Sequence, residues 1–192
     1  MTKRILLALL GIGLLGVLAG VAGLALFTDS ASVGSNTFST SSIDIATSPT
    51  TALVTFSDMV PGDTVTNPLD VLNNGTLQFR YAISGAATNA DSLALKDALT
   101  LTIKTIDVTT PGTPCDDFDG TQLYTGDLDD GVSGLLVGDP AQGDDTGDRV
   151  LNASTSETLC FRVQLPGAAT GPQGATTTAT FTFDAEQTVN NP

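Results

Sequence analysis

Three stretches of this chain alternate apolar and polar residues with a period of two. In TLQFRYAIS, Leu77, Phe79, Tyr81 and Ile83 stand on one side, opposite Gln78, Arg80 and Ala82. In ETLCFRVQL, Leu159, Phe161, Val163 and Leu165 share a side, which sets Cys160, Arg162 and Gln164 on the other. In TTTATFTFDAEQ the shared side is Ala179, Phe181, Phe183 and Ala185. A period of two puts alternate side chains on opposite faces of a strand and cannot line one face of a helix. Each stretch reads as a strand with one buried face.

Weaker runs fill the rest. Phe38, Ile43 and Ile45 mark an early strand, Ala52–Phe56 a short second one, and Leu99, Leu101 and Ile103 a later one. Val65–Leu72 is also a strand, expected at an edge or bulged at Pro68, which has no N–H to donate. Asp91–Leu99 reads as a short helix capped by Asp91. Pro61-Gly62-Asp63 signals a turn and Asn73-Asn74-Gly75 a hairpin. From Thr109 to Asp148, Gly, Asp and Pro dominate, which predicts a loop-rich acidic insertion with one hairpin. The expected fold is all-β: a two-sheet, jelly-roll-like sandwich of about eight strands. The chain divides into a leader (1–25), an N-terminal segment (26–48) and a sandwich (49–192) with its insertion at about 109–150.

The leader carries Lys3 and Arg4, then no charge from Ile5 to Phe27. That run is long enough to span a bilayer as a permanent anchor. It also ends in Gly23-Leu24-Ala25, small residues at the −3 and −1 positions of a signal-peptidase site between Ala25 and Leu26. Five glycines from Gly11 to Gly23 lower its helix propensity, which suits a transient leader. In both readings the basic end stays inside and the domain is exported.

Charge and residue types exclude several functions. With 21 acidic and 7 basic residues the formal charge is −14, and no basic cluster is available for nucleic acid. The chain has no His, so a Ser-His-Asp triad, a Cys-His pair and a His-ligated zinc are all ruled out. There is no phosphate-binding GxxxxGK[ST] loop. The acidic pairs sit in Gly/Asp-rich loop sequence, where solvation explains them without acid–base chemistry, and no enzyme activity is expected.

Other features stay open to two readings. Asp116, Asp117 and Asp119 precede Gly120, and Asp127, Asp129 and Asp130 precede Gly131. These are either calcium loops lacking the usual twelfth-position Glu or ordinary solvated loops; calcium is the one cofactor considered. Cys115 and Cys160 suggest one disulfide in an exported chain, pinning the insertion on the outer face of the Cys160 strand. Asn74 and Asn152 begin glycosylation triplets, or are simply turn residues.

The order of several motifs resembles the TasA/camelysin family of secreted matrix-fibre subunits. The carriers are Phe27-Thr28-Asp29, Asn36-Thr37-Phe38, Ile43-Asp44-Ile45, the Pro61-Gly62-Asp63 and Asn73-Asn74-Gly75 turns, and FTFDAEQ from Phe181 to Gln187. Ser41 stands where that family usually has Gly, and the insertion is not alike. The resemblance covers roughly 1–83 and 156–188. It implies export through a dedicated signal peptidase and assembly by donor-strand exchange. In that scheme the N-terminal segment completes the neighbour's sheet, with Phe27, Phe38, Ile43 and Ile45 as anchors. The implied protein is a fibre subunit of the extracellular matrix or cell surface. It partners itself head to tail, with an accessory matrix protein as a further partner, and meets membrane only through its leader. Some members are described as peptidases, which no motif here supports. Two alternatives stand beside this. The segment forms the first strand of its own sandwich, or the protein is an anchored monomeric surface binding module, with or without calcium dependence.

Overall fold

A computed structural model describes residues 3, 39–51, 53, 58–106, 115–169 and 173–191. The chain divides into two units, 1–39 and 40–192. The first has only Lys3 and Ser39 described, so the architecture below is that of the second. Ala25, Leu26, Phe27 and Phe38 lie outside the described residues, as does most of the Ala52–Phe56 run.

Nine strands are present among the described residues: β1 (Ile45–Ser48), β2 (Thr64–Asn73), β3 (Phe79–Ala87), β4 (Thr100–Thr105), β5 (Gln122–Gly126), β6 (Leu135–Val137), β7 (Arg149–Leu151), β8 (Ser156–Gln164) and β9 (Ala179–Gln187). They form two antiparallel sheets. The first runs β1-β2-β8-β4-β5. In the second, β3 is central, with β9 along one side and β6 and β7 along the other. The fold is the expected all-β two-sheet sandwich.

The alternating residues form its core. Val71, Phe79, Ile83, Leu101, Ile103, Leu159 and Phe161 are all 0% exposed. A fully buried side chain of this size contributes about 1.5–3 kcal/mol, so this set dominates the favourable side of folding. Rings join the sheets: Phe161 of β8 packs on Phe181 of β9 with centroids 5.3 Å apart.

Four local expectations change. Asn73-Asn74-Gly75 is not a hairpin, because β2 and β3 belong to different sheets. It is a corner. The buried Asn73 amide donates to the carbonyls of Leu77 (2.8 Å) and Leu151 (3.1 Å), and its Oδ1 accepts from Gly75 N–H (2.9 Å). Those bonds satisfy groups that a ladder would otherwise hold. Second, β2 is interior, but β1 covers only Asp70–Asn73, so Pro68 lies beyond the end of that pairing and tolerates its missing donor. Third, the helix is one turn, Leu95–Ala98, entered through Ala94 in the left-handed region. Asp91 does not cap it. Its carboxylate accepts instead from the N–H of Leu93 (2.9 Å) and of Thr176 (2.6 Å), tying two loops together. Fourth, the insertion holds three strands, β5, β6 and β7. The last two are three residues long, too short to show a period. The Pro61-Gly62-Asp63 turn is present, with Gly62 at φ 104, a region only glycine enters freely.

Candidate assembly edge

β9 is paired with β3 along its whole length, from Ala179↔Ala87 to Gln187↔Phe79. Among the described residues no strand pairs with its other side. An open edge presents a row of backbone donors and acceptors to any added strand. From Thr176 to Gln187 the sequence offers no Lys, Arg or Pro to block such addition. The core-facing side chains show the same gap. Phe181 and Phe183 pack against the core but remain half-buried, whereas Phe79 and Phe161 of the inner strands are fully buried. Among the described residues, no strand covers these aromatics on that side.

The N-terminal segment is fastened close to one end of that edge. Ser42 N–H donates to Thr76 Oγ1 (3.0 Å), and the Ser42 carbonyl accepts from Thr76 N–H (2.9 Å) and Leu77 N–H (3.2 Å). The Asp44 carbonyl accepts from Asn74 N–H (2.8 Å). From there β1 pairs with β2, Ile45 opposite Asn73. Ile45 packs against this chain's own core, while Ile43 is 41% exposed. Of the four expected anchors, Ile45 therefore packs on its own subunit, and Ile43 beside it stays exposed. Gly75 makes this clasp possible for a reason other than φ. It gives the backbone of Ser42–Asp44 room to pass.

A cleft of about 400 Å³ opens at the same end, beside Ile43, Gln142, Glu186, Gln187 and Asn191. Arg80, on the polar side of β3 and 5% exposed, organises its floor. Its Nε donates to Glu186 Oε1 (2.5 Å), another nitrogen donates to the Asn191 carbonyl, and Asp144 lies 3.5 Å away. Glu186 also accepts from Gly143 N–H (3.0 Å) and the Asn191 amide (2.7 Å). Desolvation pushes the Glu186 carboxyl up, but the donations from Gly143, Arg80 and Asn191 outweigh it and hold the group below its ordinary range. Sequence reasoning missed Arg80: its place on the polar side of the alternation looked like solvent exposure. Glu186 of β9, Asn191 and Asp144 of the 138–148 loop close around it.

A second polar link joins the sheets. Tyr81 of β3 donates its hydroxyl to Glu157 of β8, which Arg149 of β7 also binds at 2.5 Å. Burial first, then the negative charge of Glu157, raises the Tyr81 phenol well above its ordinary value.

The acidic triplets lie apart from this edge. Cys115 and Cys160 form a disulfide, Cα to Cα 5.5 Å. Phe118 sits beneath Arg162 (3.6 Å) and Lys104 (4.8 Å), and the Lys104 ammonium donates to its carbonyl (2.9 Å). Asp116, Asp117 and Asp119 are thus carried on a loop held to the outer face of the first sheet. In the other triplet, Lys96 binds Asp129 at 2.9 Å and Ser133 Oγ donates to Asp130 at 2.5 Å. Asp127 offers its carbonyl to Tyr124 (2.7 Å). Asn74 and Asn152 are both exposed, and the Asn152 side-chain oxygen accepts from Gln78 (2.7 Å).

Residues 1–98, just over half of the 192-residue chain, match the sequence profile of a family described as Camelysin metallo-endopeptidase. No curated protein matches the chain. A catalytic metal does not fit the residues present. The chain contains no His, both cysteines are in the disulfide, and no group of three or more carboxylates converges among the described residues.

Proposed function

The chain belongs to the camelysin family, and from that premise we propose that it is an exported structural subunit that polymerises into extracellular-matrix or cell-surface fibres. Cleavage between Ala25 and Leu26 releases the segment, and the part before Ser42 completes the sandwich of the next copy. The observation that carries this reading is the open edge of β9, with Phe181 and Phe183 left half-covered beside it. An added strand gains main-chain hydrogen bonds along the edge and shields those rings, which gives affinity and register together. A contact of this kind is head to tail and does not close on itself, so it propagates into a filament. In this reading Phe27 and Phe38 serve the neighbour, while Ile45 anchors the segment to its own subunit.

No helix among the described residues is long and apolar enough to cross a membrane, and the Ile5–Phe27 run lies outside them. A scaffold role fits the residue chemistry better than hydrolysis, since the chain has no His and no group of metal-binding side chains converges among the described residues. The test is electron microscopy of chain 26–192 at high concentration, beside a chain beginning at Ser42. Uniform thin filaments from the first and none from the second, with both folded by circular dichroism, are expected. Filaments from the shorter chain would rule out exchange through residues 26–41.

A further inference from the structure

The direction in which the segment adds to its neighbour follows from where it leaves its own sandwich; this rests on the donor-strand reading above. Ser42 is bonded to Thr76 and Leu77, and the next residue, Gln78, accepts from Thr188 N–H (3.4 Å) just past the end of β9. The segment therefore departs at the Gln187 end. β9 begins at the opposite end, where Ala179 pairs with Ala87. The two ends are separated by roughly 27 Å at about 3.3 Å per residue.

Stacked head to tail along β9, the departing end of one copy meets the Ala179 end of the next. The segment must then run with Ser39 near the neighbour's Ala179 and its amino end toward the neighbour's Gln187. We propose that residues 26–39 of one copy add antiparallel to β9 of the next, so that the new amino terminus at Leu26 arrives at the cleft beside Gln142, Glu186, Gln187 and Asn191. The reach is sufficient. Residues 26–39, extended, span about 46 Å, and β9 is about 30 Å long, which leaves a few residues to cross between subunits. Part of the lining suits the end delivered there: the side-chain amide oxygens of Gln142, Gln187 and Asn190 can accept from an ammonium, whereas the Glu186 carboxylate is already taken by Arg80, Gly143 and Asn191. The competing occupant is the chain's own segment turned back on its own β9. That strand would run from Ala179 toward Gln187, parallel to β9. Direction therefore separates assembly from self-closure, and antiparallel pairing is also slightly the more stable per residue.

The test maps direction with single cysteines in chain 26–192, keeping the native disulfide. Asp29→Cys or Thr37→Cys in one population is mixed with Asp184→Cys or Thr180→Cys in another, both of the latter at exposed β9 positions. Assembled fibres are treated with a short bismaleimide and run as denatured dimers. Coupling of position 29 to 184 and of 37 to 180, several-fold above the swapped pairs, is expected. Preference for 29 with 180 and 37 with 184 means parallel addition and overturns the proposal, as do fibres in which no β9 cysteine couples. Coupling confined to one chain, in double-cysteine monomers, would establish self-closure instead. If chain 26–192 forms no fibres at all, the donor-strand reading itself fails, and this inference falls with it.

Discussion

Gly75 lies so close to Ser42 that a Cβ at position 75 would stand 2.5 Å from the Ser42 carbonyl oxygen and 2.8 Å from Asp44 N. Both obstacles are backbone, so neither can rotate away. Gly75→Ala should force the clasp apart or strain the corner, lowering stability by about 1–3 kcal/mol. The check is the urea midpoint of chain 26–192, read with amide exchange at Asn74 and Thr76. Unchanged exchange there, with a lower midpoint, would mean the corner yields and the clasp holds.

The disulfide closes a loop with a sequence separation of 45 and anchors the insertion to the sheet's outer face. Replacing both cysteines by Ser should cost about 3–4 kcal/mol on the chain-entropy account. Limited proteolysis of the double variant should begin near residues 115–120, whose other attachments include Phe118 with Lys104 and Arg162. Core contacts on the inner face are untouched, so the far-ultraviolet spectrum should keep its β signature.

Alkaline unfolding should run through the tyrosines. Burial, then the charges of Asp130 and Asp127, push the Tyr124 phenol up to about 12, and Tyr81 moves the same way. Folded values above the unfolded value of about 10 mean that this stability is complete below pH 10 and is lost as the pH rises toward 12. Urea midpoints measured between pH 9 and 12 should fall. Tyr124→Phe should flatten part of that slope while forfeiting its bond to the Asp127 carbonyl, about 1 kcal/mol at neutral pH.

Calcium should leave the fold unmoved. Asp129 is held by Lys96, and that ammonium, with the Gly131 N–H, keeps its carboxyl low against the effect of burial. Asp130 is bonded to Ser133. A cation would have to displace these partners before finding ligands. Melting curves in chelator and in millimolar calcium should superimpose; a rise of several degrees with calcium would show that the loops rearrange to bind it.

How much of this was legible in the sequence depended on the length of each element. β3, β8 and β9 are each nine residues long, and their alternation named the core directly. β6 and β7 gave no pattern because three residues hold only a single repeat of period two, too little to stand out. The Asn73-Asn74-Gly75 corner misled for a different reason. Its composition is what a hairpin needs, but the buried Asn73 amide does the bonding that lets the chain change sheets. The edge of β9 was invisible as an edge, since alternation reports which face is buried and is silent about which side lacks a neighbour. The depth at which Phe181 and Phe183 lie was needed to find it.

That depth gives the sharpest prediction. Phe161 is 0% exposed and Phe181, in contact with it at 5.3 Å between centroids, is only half-buried. Phe161→Ala should cost the monomer about 3–5 kcal/mol, the usual figure for a fully enclosed ring. Phe181→Ala should cost the monomer less than that, because part of its surface already faces water. In the fibre the order of effect should change. If a neighbour's strand covers β9, Phe181 becomes buried on assembly, and its truncation removes a contact that the fibre has and the monomer lacks. The critical concentration for assembly should then rise roughly tenfold for each 1.4 kcal/mol so lost. Phe161→Ala, whose ring is buried in both states, should shift it little wherever the variant remains folded. Equal shifts for the two variants would show that the ring of Phe181 sees no change on assembly, and would place the interface away from β9.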